Sequence, residues 1–125
     1  MVVIKETIHR EQYLKCRAKT VVITEGRKRI PIAAFAHSKK LSKVVIPNST
    51  RLICPFAFYG CKSLESVEFG KSGTSELRHI YCKSFYETNL KEVILPNFFA
   101  APWKKGELEI AFEKHVNIKF RVENW

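Results

Sequence analysis

The 125-residue sequence predicts a repeat solenoid, mainly β, in which short strands and tight turns or 3-10 segments stack coil on coil. Three observations predict it. Residues 30–47, IPIAAFAHSKKLSKVVIP, lie over residues 53–70, ICPFAFYGCKSLESVEFG, at a constant offset of 23, pairing Ile30 with Ile53, Phe35 with Phe58, Leu41 with Leu64, and Val44 with Val67. A third copy at 80–96, IYCKSFYETNLKEVILP, repeats the order as Ile80, Phe85, Leu90, Val93 and Leu95. Each copy closes on apolar residues at every second position, which is the period of a half-buried strand.

The coils follow in chain order. The first, 8–23, carries Ile8, Tyr13, Ala18, Val21 and Ile23 at the third copy's own intervals. The second and third, 30–47 and 53–70, are the ungapped pair. The fourth, 80–96, follows an insertion around KSGTS that contains Gly73 just after Gly70, as a loop should, and lacks one residue before Leu90. Residues 97–125 read as a degenerate cap. There Ala111 and Phe112 restart the pattern, and Val116, Ile118, Phe120 and Val122 alternate. All four coils and the cap are expected to form one domain, 1–125. No coil can bury its apolar side alone, so equivalent residues should stack about 4.8 Å apart, each buried Phe, Leu or Ile contributing roughly 1.5 to 3 kcal/mol.

AFAHSKKLSKVVIPNS, AFYGCKSLESVEF and SFYETNLKEVILPN resemble the BspA-type leucine-rich repeat, whose units run Ile, Ala-Phe, Cys, Leu, Ile or Val, and Ile-Pro. The likeness spans about residues 20–96. It implies a right-handed leucine-rich-repeat solenoid and a role in binding a protein or a surface.

Composition removes several classes. A hydrophobic content of 46% supports a folded core, while the longest apolar runs, IPIAAFA and NFFAAP, fall far short of the roughly 20 residues that cross a bilayer. No secretory leader is read in MVVIKETIHREQ, so a cytoplasmic location is expected, with Cys16, Cys54, Cys61 and Cys82 as thiols. Cys61 occupies the repeat's core position, matched by Ser38 and Thr88. No C-x-x-C, C-x-x-H or H-x-x-x-H spacing offers a zinc site. FGKSG is the tail of a phosphate loop, but Glu65 stands where the motif needs glycine. The chain contains no aspartate, and His37, His79 and His115 fall at turns without paired carboxylates. An enzyme is not expected, nor a metal, cofactor, membrane or small-molecule substrate.

Two surface features remain. Val22, Val45, Glu68 and Ile94 should point outward from the strands, with Thr20, Lys43, Ser66 and Glu92 at the strand starts. Three apolar residues on an open sheet face suit a protein partner, unless NFFAAPWKK folds over them. The second feature is basic. Residues 1–51 hold twelve Lys and Arg against three Glu, and residues 52–125 hold ten against nine, within a net charge of +10. Arg27, Lys28 and Arg29, then Arg51, then Arg78 precede successive Ile columns, and Lys39, Lys40 and Lys62 precede the Leu columns. Stacking turns these into ridges that attract an acidic protein surface or phosphate. The expected function is a non-catalytic protein-binding module of adaptor or inhibitor type. The alternative is RNA, DNA or nucleoprotein binding through the basic N-terminal half.

Overall fold

The computed structural model describes residues 2–4 (backbone only), 17–26, 28–70 and 75–121. Arg27, Cys16, Gly73 and Val122, and Ile8 and Tyr13 of the first coil, lie outside the described residues.

The alternating segments are strands, as their period requires. Thr20–Ile23 (β2), Lys43–Ile46 (β4) and Ser66–Phe69 (β6) pair in parallel, and each alternates half-buried with buried residues. An unanticipated strand, Val2–Ile4 (β1), pairs with β2 and ends this four-stranded sheet in the order β1-β2-β4-β6. The Ile columns form a second sheet of two-residue strands: Arg29–Ile30 (β3), Leu52–Ile53 (β5) and His79–Ile80 (β7). Glu92–Leu95 (β8) pairs in parallel with Asn117–Phe120 (β9) in a separate two-stranded sheet.

The core between these sheets is the ladder of repeat columns. Ile30, Ile53 and Ile80 are fully buried, as are Leu41, Leu64 and Leu90. Phe35, Phe58, Phe85 and Phe112 stack in one column, with ring centroids 5.3, 5.1 and 4.9 Å apart and planes within 12° of parallel. Each such pair adds about 0.5–1.5 kcal/mol beyond its buried area. Cys61 is buried at the expected place, and its Sγ donates to the Phe35 carbonyl of the coil before, 3.0 Å away.

Between the Ile and Leu columns the chain returns through turns that are themselves laddered. The N–H groups of Ala33, Phe35 and His37 donate to the carbonyls of Pro55, Ala57 and Tyr59, at 3.1, 2.8 and 2.8 Å. Phe56, Phe58 and Gly60 donate likewise to Cys82, Ser84 and Tyr86. The first and third donors of each set have left-handed backbones: Ala33, His37 and Phe56 at φ 54°, 61° and 61°, Gly60 at 74°. For an L-residue that conformation costs about 1–2 kcal/mol, which the inter-coil bonds offset. Gly60 has a further reason to be glycine, because a Cβ there would meet His37 Nδ1 at 2.5 Å.

Residues 97–121 are more built than a degenerate cap. Asn97–Ala100 and Pro102–Lys104 are 3-10 turns (η1 and η2), and Lys105–Ala111 is a helix (α1) whose buried residues are Leu108 and Ala111. Phe112, next in line, is the last rung of the phenylalanine column.

Phe58→Ala removes the middle of that column and should cost about 3–5 kcal/mol in urea unfolding. Stability near that of the parent protein would refute the stacking register.

Candidate functional site

On the outer face of the first sheet the register places Val22 beside Val45 and Val45 beside Glu68, with Thr20, Lys43 and Ser66 forming the neighbouring row. All six are half-buried. Lys43 Nζ lies 3.2 Å from Glu68 Oε1, a surface pair worth under about 1 kcal/mol. The segment NFFAAPWKK does not cover this face. Its Phe99 sits in the core, its Phe98 ring lies against Arg78, and Trp103 is 76% exposed.

Glu92 and Ile94 are exposed as well, but β8 is not hydrogen-bonded to β6. Those residues lie in register with Asn117 and Lys119 of β9. This coil lacks one residue before Leu90, as the first coil does before Ala18, where β2 still pairs with β1 and β4. In the regular coils Glu65 and Ser66 N–H both donate to Ser42 O, whereas here Asn89 N–H reaches Leu64 O at 3.0 Å, out of phase with the strands that follow. A cleft of about 510 Å³ opens between β6 and β8, with Ser66, Glu68, Glu92, Ile94 and Arg121 among its walls. Arg121 staples one end of it, its N–H donating to Leu95 O at 2.8 Å and Nη2 to Phe69 O at 3.1 Å.

The cleft therefore carries main-chain groups. Asn117 and Arg121 N–H donate to Lys91 and Leu95 O, so alternation turns the peptide groups of Glu92 and Ile94 toward β6. Across the cleft, β6 turns those of Val67 outward, because Ser66 is spent on β4. Ile94 is 49% exposed beside them.

Stacking also brings the basic residues together. Arg51 N–H donates to Lys28 O at 2.8 Å, and Arg78 N–H to Arg51 O at 2.9 Å, so Lys28, Arg51 and Arg78 occupy successive coils. Lys28, Arg29, Arg51 and Arg78 are exposed, as are Lys39, Lys40 and Lys62 on the return turns. The ridge is partly spent within the protein: Arg51 Nε is 3.3 Å from Glu76, and the Arg78 guanidinium lies 4.6 Å from the centre of the Phe98 ring.

Cys54, Cys61 and Cys82 carry free thiols, and burial pushes the Cys54 thiol up, away from thiolate chemistry. No helix among the described residues is long and apolar enough to cross a membrane.

The sequence profile of the BspA type leucine rich repeat region matches residues 6–101, in six copies. The chain belongs to the BspA-type leucine-rich repeat family. A solved leucine-rich repeat protein from Bacteroides ovatus ATCC 8483 shares the fold at a TM-score of 0.54 and 22% identity. The likeness covers 83% of this chain and 30% of that one. No curated protein matches the chain. Leucine-rich repeats of this kind are protein-interaction modules and are generally non-catalytic.

One cluster escaped the sequence reading of this leucine-rich repeat. Where a further coil would continue the β3-β5-β7 sheet, α1 sets Glu107 against its edge. Glu107 Oε2 accepts the Ile80 N–H at 2.9 Å, while Oε1 lies 3.1 Å from His79 Nδ1 and 3.2 Å from Lys104 Nζ. Lys104 is only 5% exposed and also donates to Arg78 O. His79 thus does have a paired carboxylate, brought from 28 residues away, which no local spacing could reveal. Burial alone would raise the Glu107 carboxyl, but the Ile80, His79 and Lys104 donors outweigh it and hold it below its usual value.

A carboxyl lowered by folding stabilises the protein above its unfolded pKa, and that share is lost as pH falls through the folded value. Melting temperature should therefore drop on acidification through the acidic range, and Glu107→Gln should flatten that drop while lowering stability at neutral pH. An acid limb unchanged in Glu107→Gln would remove the clasp from the account.

Proposed function

We propose that residues 1–125 act as a single right-handed solenoid domain of about four coils and a cap, serving as a non-catalytic protein-binding module of adaptor or inhibitor type. The observation that carries this reading is the β6/β8 cleft. Four of the face residues expected to bind a partner, Ser66, Glu68, Glu92 and Ile94, line it, and strand edges unpaired among the described residues present donors and acceptors beside an exposed apolar side chain. A partner's main chain can meet such edges with hydrogen bonds while its side chains cover Ile94. Val22, Lys43 and Val45 extend the contact across the neighbouring strands. The basic ridge of Lys28, Arg29, Arg51 and Arg78 then favours a partner with an acidic rim, and raises its association rate more than its affinity. Free thiols at Cys54, Cys61 and Cys82 are compatible with the cytoplasm.

The second reading, nucleic-acid or nucleoprotein binding, rests on the stacking of Lys28, Arg51 and Arg78. It is the weaker one, because Glu76 and Phe98 already engage two of these three side chains. The buried phenylalanine column offers it no stacking surface.

Capture from the native host with and without nuclease, followed by titration of the recovered partner, separates the two. Ile94→Glu combined with Ser66→Arg should weaken binding about tenfold or more, equivalent to about 1.4 kcal/mol, with folding intact. Reversal of Lys28, Arg29 and Arg51 to Glu should chiefly slow association. Loss of the partner on nuclease treatment, with a steep fall of affinity in salt, would decide for nucleic acid.

A further inference from the structure

The last rung of the solenoid is unfinished. In β2, β4, β6 and β8 the two residues that share the inner columns are buried, Leu95 completely. In β9 the residues in register with Val93 and Leu95 are Ile118, half-buried, and Phe120, 36% exposed. Beside them a groove of about 590 Å³ runs between β9, η1 and α1, walled by Phe99, Leu108, Phe112, Val116, Ile118 and Phe120. Asn117 and Arg121 spend their N–H groups on β8, so alternation leaves the peptide groups of Ile118 and Phe120 facing away from the sheet, with no strand among the described residues to receive them. Edge lysines ordinarily discourage pairing, but Lys119 Nζ is matched by Glu92 at 3.0 Å within the same chain.

At the other end, β1 is the outer strand of its sheet and is parallel to β2, as β9 is to β8. Lys43 N–H bonds Lys19 O, which turns Lys43 toward β2; its register partner Thr20, and with it Val22, turns the other way, toward β1. Val3, the register partner of Val22, therefore turns its peptide groups away from β2, where no strand among the described residues meets them. These two edges, unpaired among the described residues, have the same polarity as every strand pair of the described residues. Laid side by side in the internal register, Ile118 meets Val2, Lys119 meets Val3 and Phe120 meets Ile4, so the columns of one copy run on into the next.

We propose that the open edge of β9 receives β1 of a second copy of this chain, stacking copies head to tail through a continued parallel sheet. The contact is heterologous, so it adds copies in a row instead of closing a symmetric dimer. The net charge of +10 on each copy opposes it, and added salt should therefore strengthen association by screening.

Sedimentation velocity of the full-length chain across the micromolar range, at low and moderate salt, tests this. The expected result is reversible, concentration-dependent association beyond two protomers, stronger at the higher salt. Val3→Pro removes the outward N–H of β1 and leaves its bonds to β2. Phe120→Lys places a charge on the exposed last rung. Each variant alone should be monomeric with a normal melting curve, and an equimolar mixture should give dimers and stop there, because one intact β1 and one intact β9 remain. A parent protein that stays monomeric at every concentration overturns the proposal whatever the variants do. Association that both variants retain, or a mixture of the two that stays monomeric, overturns it equally.

Discussion

Phe35, Phe58, Phe85 and Phe112 lie one over another at about 5 Å, and the inter-coil hydrogen bonds made by the first three fix that spacing. Each phenylalanine N–H donates to the residue just before the next phenylalanine: Phe35 to Ala57, Phe58 to Ser84, Phe85 to Ala111. Ring stacking and main-chain pairing thus enforce the same repeat distance, which is also the spacing of strands in a sheet. Everything else in the molecule is arranged around that agreement. The outer sheet and the Ile-column sheet extend it to either side, and the left-handed turn residues are tolerated because they serve it.

What the repeat governs was legible from residue order alone. From Ile30 to Leu95 the Ile, Phe, Leu and Val columns are buried where their intervals place them, and β4, β6 and β8 lie where alternation places strands. Three things were not legible, each for a physical reason. The Ile columns are strands as well as inward turns, because two residues are too few to show a period of two. The clasp of His79, Lys104 and Glu107 joins residues 25 to 28 positions apart through an irregular segment, so no template relates them. The parting of β6 from β8 is a matter of backbone hydrogen-bond phase, and the one-residue deletion before Leu90 does not announce it: the same deletion before Ala18 leaves β2 paired with β1 and β4.

The same parting links fold to function. An unbroken parallel sheet spends its main-chain groups internally and offers a partner only side chains. Here one lapse in phase leaves strand edges open in the middle of the expected contact face, stapled at one end by Arg121, with Ile94 exposed alongside. The basic residues are organised by the regular part of the repeat and then tempered by Glu76 at Arg51 and Phe98 at Arg78. Regularity builds the scaffold, and departure from it builds the surface that can be read.

Native-state hydrogen exchange followed by NMR tests that division most directly. Phe35, Phe58 and Phe85 N–H should exchange only with global unfolding, while Glu92 and Ile94 N–H, facing the cleft, should exchange through small local openings. Slow exchange at Glu92 and Ile94 matching that of the phenylalanines would show β8 bonded to β6, and would contradict the account.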